Sequence, residues 1–292
     1  MADALGGGAL RDQYVAGNGV RLHVVSAAES QPPVVLLHGF PEPWLGWQHQ
    51  LPALAQAGLA VFAPDQRGYN LSDKPHPVQS YALDLLAADI TSLLDSLGLT
   101  RAAIVGHDWG AMVAWRLALT RPERVSRLVI INVPHPDVFR YTLRHDPRQM
   151  LRSWYALFFQ LPWLPEALSR HNGFSLWQRA LLATSRSGAF TRRDLELYER
   201  AWAQPGAFPA MLNWYRAYLR FPPRPTASPR VRVPTLVIWG KRDAALLSDM
   251  ARASADQCDD GRLEMLPEAT HWVHREEPAR VNQLLVEFLQ ER

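Results

Sequence analysis

The residues best placed to do chemistry stand together in Gly106-His107-Asp108-Trp109-Gly110. An apolar run over residues 102–105 leads into them, and a helical pattern over residues 111–118 leads out. Strand, sharp turn and helix, with small residues two before and two after the central one, is the layout of a nucleophile elbow. The glycines leave room for a strained turn that lifts one side chain into a pocket. Here the lifted residue is an aspartate. At a helix start it could serve only as an N-cap. The flanking glycines, the buried-type strand before it and the partners that follow in order favour a nucleophile. A carboxylate with an unperturbed pKa near ~3.9 is ionised at neutral pH and needs no base to attack. The helix beginning at Trp109 favours the charged form by about 0.3–2 kcal/mol. Attack on saturated carbon gives an alkyl ester of the enzyme, whereas attack on a carboxylic ester would give a mixed anhydride. The expected chemistry is opening of a C–O or C–halogen bond at carbon.

Such an ester must then be hydrolysed, which takes a base and an oxyanion hole. His271, in Glu268-Ala269-Thr270-His271-Trp272, follows the last apolar strand and is the candidate base. Asp243, in Trp239-Gly240-Lys241-Arg242-Asp243, ends the preceding strand and can orient the imidazole. The loop His38-Gly39-Phe40-Pro41-Glu42 follows the first buried strand. Gly39 lets its backbone come close, so the N–H groups of Phe40 and Trp109 are the expected oxyanion donors. Phe40 precedes a proline, where a cis peptide is allowed. His38 reads as a brace of this loop beside the pocket rather than as a second base. The pocket is expected to take His38, Trp44, the Trp109 ring, Phe159 and Trp272. For Trp44 and Trp47, core packing is an equal alternative.

Other chemistries find little support. His107, Asp108 and His135 do not form a known ligand spacing, HExxH is absent, and no metal is expected. Gly6-Gly7-Gly8 lacks the strand and helix of a nucleotide-binding loop, and no cofactor is expected. The net charge of +3 is spread without a basic run, so no nucleic-acid partner is expected. Cys258 is the single cysteine, which rules out an internal disulfide and allows a reducing compartment. The first residues lack the pattern of a signal peptide, and no apolar run could span a bilayer. A cytoplasmic protein with no membrane partner is the expectation.

The elements that must hold these groups follow from hydrophobic patterning. At 292 residues, with 48% hydrophobic and 20% charged residues, the chain can build one core domain with an insertion. Asn18-Gly19 divides two alternating runs and predicts a hairpin. Short apolar runs at 33–37, 59–63, 102–105, 127–131, 235–239 and 262–266 predict strands buried on both faces. Helical patterns at 47–57, 81–97 and 279–289 alternate with them, the second ended by Gly98. An α/β fold follows: a mostly parallel sheet covered by helices on both faces, with antiparallel strands at the edge that starts the chain. Residues 137–229 show no buried strand. They carry aromatic-rich helical segments broken by Pro162, Pro165, Pro205 and Pro209, which predicts an inserted helical cap. The expected division is core 1–136, cap 137–229 and core 230–292.

Together these pieces resemble the α/β-hydrolase-fold epoxide hydrolases. The resemblance rests on His38-Gly39-Phe40-Pro41-Glu42, Asp65-Gln66-Arg67-Gly68-Tyr69, Gly106-His107-Asp108-Trp109-Gly110, Asn132-Val133-Pro134-His135-Pro136 and Thr270-His271-Trp272. It runs from about Tyr14 to the C-terminus. The elbow motif is shared with haloalkane dehalogenases. A departing halide needs no proton, whereas an epoxide oxygen leaves as an alkoxide and is helped by an acid. Family members use two cap tyrosines for this. The resemblance assigns the roles to Tyr215, in Asn213-Trp214-Tyr215-Arg216, and Tyr155, in Ser153-Trp154-Tyr155-Ala156, with Tyr141 and Tyr218 as spare candidates. What it implies is conversion of a small apolar epoxide and water to a vicinal diol through an alkyl-aspartyl ester. A haloalkane dehalogenase using the same aspartate is the alternative, and a catalytically silent ligand-binding protein the third reading.

Overall fold

A computed structural model describes residues 10–27, 31–170 and 172–291; the Gly6–Gly8 stretch lies outside them. Eight strands form one sheet: β1 (Arg11–Gly17), β2 (Val20–Ala27), β3 (Pro33–Leu37), β4 (Ala60–Pro64), β5 (Ala102–His107), β6 (Val125–Ile131), β7 (Thr235–Gly240) and β8 (Gly261–Leu266). Their spatial order is β1-β2-β4-β3-β5-β6-β7-β8. The expected hairpin is present, with Asn18 and Gly19 both at positive φ (50° and 74°), the twist a two-residue turn requires. β1, β2 and β4 pair antiparallel, and every remaining pair is parallel. The apolar runs become buried strands: every residue of β3, β5 and β7 is buried.

Helices α1 (Gln50–Gln56), α2 (Leu83–Ser96) and α3 (Trp109–Thr120) belong to the first part of the sheet. Two boundaries differ from the periodicity. Trp44–Trp47 forms a short 3-10 turn ahead of α1, and Val78–Tyr81 forms another ahead of α2, so both helices start later than expected. Pro77 and the extended Ala82 account for the second delay, since neither takes helical backbone angles.

Between β6 and β7 the described residues contain helices only: α4 (Pro136–His145), α5 (Pro147–Arg152), α6 (Trp154–Phe158), α7 (Leu164–Arg170), α8 (Ser175–Thr184), α9 (Arg192–Trp202) and α10 (Ala207–Arg220). Three further helices, α11 (Met250–Ala255), α12 (Val273–Glu276) and α13 (Pro278–Gln290), return to the sheet. Among the described residues no helix is long and apolar enough to cross a membrane.

The inserted helices are fixed to the sheet by polar groups at buried points. The Trp214 indole N–H donates to the Arg67 carbonyl (2.9 Å), which seats α10 on the loop after β4. The Trp202 indole N–H donates to the Pro41 carbonyl (2.6 Å), which seats α9 on the loop after β3.

Candidate active site

Asp108 sits at the end of β5 with φ 49° and ψ −124°, a conformation costing a non-glycine residue about 1–3 kcal/mol. Its neighbours explain why the strain is tolerated only in this sequence. A Cβ on Gly110 would lie 2.1 Å from the Leu37 carbonyl oxygen, and one on Gly39 would lie 2.3 Å from the Asp108 Cβ. Both positions must be glycine for the β3 loop and the elbow to approach. That approach lets the Phe40 N–H donate to Asp108 Oδ1 (2.7 Å). The Phe40–Pro41 peptide is cis.

The second oxygen, Asp108 Oδ2, lies 3.5 Å from His271 Nε2. On its other side, His271 Nδ1 is 2.7 Å from Asp243 Oδ2. A carboxylate only accepts, so Nδ1 carries the proton. Asp243 is fully engaged: Oδ1 receives the Ala245 and Leu246 N–H groups (2.7 and 2.9 Å), and Oδ2 also receives the Asn132 amide (2.7 Å).

Electrostatics follow from this packing. Burial works against charge on Asp108 and Asp243, but the His271 imidazole beside each outweighs it and holds both carboxyls below their ordinary range. Burial alone would lower the His271 pKa; the carboxylates of Asp243 and Asp108 reverse this and hold it well above its usual value. The two carboxylates thus favour the imidazolium form of His271, and the imidazole favours the anionic form of Asp108.

Two cavities meet at Asp108. The larger, about 360 Å³, is lined by Phe40, Asp108, Tyr155, Phe159, Trp177, Tyr215, His271 and Trp272, among others. The smaller, about 120 Å³, takes Asp108, Trp109, Phe139, Tyr155, Tyr215 and Leu246. Tyr155 and Tyr215 belong to both, with ring centroids 5.9 Å apart. Burial and the negative charge of Asp108 push both phenols above their usual pKa, so they stay protonated as donors. Tyr215 is wedged edge-on between Trp109 (4.9 Å), Phe40 (5.2 Å) and Phe159 (4.9 Å).

The structure therefore gathers Asp108, Asp243, His271, Tyr155, Tyr215 and the Phe40 N–H around one point. Phe159 and Trp272 line the larger cavity and Trp109 the smaller. His38 and Trp44, expected in the pocket, line neither cavity. His38 is wholly buried behind the loop, where its Nε2 accepts the Gln66 N–H (3.0 Å). Trp44 is wholly buried in the core, and its backbone N–H donates to Asp65 (2.9 Å). In both cases burial in the β4 loop region outcompetes the pocket. Of the spare tyrosines, Tyr218 lines the smaller cavity, whereas Tyr141 is 67% exposed.

Sequence reasoning missed Asn132 as part of the site. It takes φ 53° directly after β6 and joins three strand ends: its amide N–H donates to Asp243 and to the Thr270 carbonyl (3.2 Å), and its Oδ1 accepts the Gly240 N–H (2.8 Å). The signals were a polar residue closing a buried apolar strand and its place in the Asn132-Val133-Pro134-His135-Pro136 motif of the resemblance, neither of which gave it a role. Also missed was the buried cluster under the site. Glu42 receives the Tyr198 hydroxyl (2.7 Å) and lies 3.2 Å from His107 Nδ1 and 3.3 Å from His274 Nε2. His107 Nε2–H in turn donates to the His271 carbonyl (2.9 Å). Glu42 is held well below its usual pKa because the His274 and His107 imidazoles overcome its burial.

An aspartate elbow facing a His–Asp pair on this sheet defines the class: the chain belongs to the α/β-hydrolase fold family, whose model matches residues 32–278. Within that class it is 46% identical over 95% of its length to the AB hydrolase superfamily protein YfhM of Bacillus subtilis (strain 168), covering 97% of that protein. It is 42% identical to Epoxide hydrolase 4 of Homo sapiens, with 94% of this chain and 77% of that protein covered. A solved structure of Bacillus megaterium epoxide hydrolase in complex with an inhibitor superposes with a TM-score of 0.88 at 30% identity, covering 96% of this chain and all of that one. The protein is a member of the epoxide hydrolase family and a hydrolase acting on ether bonds.

Proposed function

We propose that the protein converts a small apolar epoxide and water to a vicinal diol through a covalent ester on Asp108, with residues 137–229 acting as a cap that supplies the acid. Asp108 Oδ2 attacks an oxirane carbon and the C–O bond opens. The departing oxygen takes its proton from Tyr155 or Tyr215. Oδ1 becomes the ester carbonyl, already facing the Phe40 N–H.

Esterification removes the negative charge opposite His271 Nε2. The imidazolium then loses one of the two carboxylates that favoured it, gives up its Nε2 proton to the phenolate left on the donating tyrosine, and becomes a base poised by Asp243. It takes a proton from water, which adds to the Asp108 carbonyl carbon. The Phe40 and Trp109 N–H groups receive the oxyanion on Oδ1. Collapse breaks the bond from that carbon to Oδ2; the departing alkoxide takes the remaining proton of the added water, Asp108 returns as a carboxylate beside protonated His271, and the diol leaves with the original aspartate oxygen. Water supplies the replacement. No cofactor enters any step.

One observation carries the reading: two phenols, both held protonated, face the carboxylate across a shared cavity. A halide would have no use for them. The test is His271→Gln treated with styrene oxide. Intact-protein mass spectrometry is expected to find a persistent adduct, mapped to the Asp108 peptide. An unmodified Asp108 in a folded variant would end the scheme.

A further inference from the structure

The segment that bears Tyr155 is apolar on both faces. α5 and α6 run nearly continuously, since the Ser153 N–H donates to the Gln149 carbonyl (3.0 Å). At helical spacing Gln149, Tyr155 and Phe159 turn inward, and the last two line the larger cavity. Met150, Leu151, Trp154, Leu157 and Leu161 fall on the opposite side, within an arc of about 120°. They are 55%, 74%, 64%, 69% and 44% exposed, and Trp163 just beyond is 73% exposed. So large an exposed apolar patch marks an interaction site.

Two observations say what covers it. Trp154, Leu168 and Leu176 are exposed and also line the larger cavity, so this face surrounds the mouth leading to Asp108. The surrounding charge is one-sided. Residues 147–190 hold five arginines and one acid, Glu166, which is spent on Arg216 (2.6 Å). Arg148 is in turn paired with Asp146 and Asp249, Arg186 with Glu277, and Arg152 donates to the Asp243 carbonyl (2.9 Å), which leaves Arg170 and Arg179 as the solvent-facing cations of this stretch outside those contacts. Arg170 follows Leu168 on α7, Arg179 lies between the exposed Leu176 and Leu182 on α8, and Arg220 reaches the Gln160 carbonyl (3.3 Å); all three are exposed. Exposed tryptophan and leucine rimmed by arginine is the composition of an interfacial lipid-binding surface. A second copy of the same face would bring the arginine rims together, whereas an anionic bilayer complements the apolar centre and the rim alike.

We propose that this face docks on an anionic lipid surface with the cavity mouth against the bilayer, so that an apolar substrate enters from the lipid. This is surface contact, not a span, and it revises the expectation of no membrane partner. Docking stands apart from the catalytic reading; delivery of an epoxide rests on it.

The test uses flotation with phosphatidylcholine vesicles, with and without about a quarter phosphatidylglycerol. The triple variant Leu151→Gln, Leu157→Gln, Trp163→Gln changes no cavity-lining residue. Wild-type protein is expected to float with the anionic vesicles, and the variant's bound fraction to fall at least ~10-fold, while styrene oxide turnover without vesicles stays unchanged. Wild-type protein left at the bottom, or a variant that floats equally, overturns the proposal. So does a concentration-dependent dimer that the same substitutions abolish without any flotation; the face is then a contact between copies. Should the variant fail to fold, quenching of wild-type tryptophan fluorescence by brominated lipid decides: quenching supports docking, and none overturns it. Floating protein that turns over no epoxide would sink the catalytic reading alone.

Discussion

The two walls of the cavity are built in different ways. On the sheet side, Asp108, Asp243 and His271 stand at strand ends and are fixed by hydrogen bonds, several of them from backbone N–H groups of neighbouring loops. On the side of the inserted helices, Tyr155 and Tyr215 are held mainly by ring contacts with Phe159, Phe40 and Trp109, with one side-chain hydrogen bond from Trp109 to Tyr215, in helices whose outer surface is partly exposed apolar side chain. Directional bonds fix a group to a fraction of an ångström. Aromatic packing fixes it more loosely and can adjust to the shape of what it encloses. The pattern suits the proposed division of labour, in which the carboxylate and the imidazole meet in one geometry at every turnover and the phenols reach oxygens of differently shaped substrates.

The largest expected effect comes from the sheet side. Asp108→Asn should lower turnover by about 10⁴-fold or more, since the amide is no nucleophile. It should also lower the His271 pKa, because the anion facing Nε2 is gone, and a histidine Cε1 NMR titration reads that shift. An unmoved His271 would mean that Asp243 alone sets its charge, and the coupling between attack and base formation would be lost.

On the cap side the effects should be graded. Tyr155→Phe and Tyr215→Phe are each expected to lower kcat for an epoxide by about 10- to 100-fold, and the double variant by about 10²–10⁴-fold, measured in the pre-steady-state alkylation phase. If one substitution alone costs as much as both, the phenols do not share the work, and the contrast between a rigid and an adaptable wall fails.

The same contrast explains what could be read from the chain before its structure. The sheet wall depends on local rules. Glycines around Asp108, short buried runs and chain order suffice to expect Asp108, Asp243 and His271 together, and the strands fall within a few residues of the periodicity. Trp44 and His38 were misplaced because burial in a loop is decided by tertiary neighbours such as Asp65 and Gln66, which local spacing does not reveal. Among the inserted helices all but α5 and α7 carry aromatic residues, so periodicity cannot say which ring faces the cavity. Trp177 lines it from α8 without any motif to mark it, and Tyr155 was legible only through the family resemblance.

Asn132→Ala lies between the two extremes. It removes three bonds among the ends of β6, β7 and β8 without touching substrate. By analogy with other supporting partners the expected loss is about 10- to 100-fold in kcat with KM little changed. Asp243 keeps its backbone donors, so a smaller effect in steady-state kinetics would place its orientation with Ala245 and Leu246.

The smallest effect on activity is expected where the walls join. Tyr198, on α9, donates to the buried Glu42; Trp202 donates to the Pro41 carbonyl; and Asp194 on the same helix pairs with the fully buried Arg275 (3.0 Å). Two of these ties grip the loop that carries Phe40 and the third grips α12 just after His271, so one inserted helix rests on both segments. Tyr198→Phe keeps the ring and deletes the bond to Glu42 and the longer one from Arg275 (3.4 Å), which should cost about 1.5–3 kcal/mol of stability while turnover changes by no more than about threefold. Thermal unfolding and steady-state kinetics on one preparation separate the two. A large loss of turnover with unchanged stability would mean that the Glu42–His107 cluster acts on His271 through its carbonyl. The line between a bonded wall and a packed one would then run beneath the base, not between core and cap.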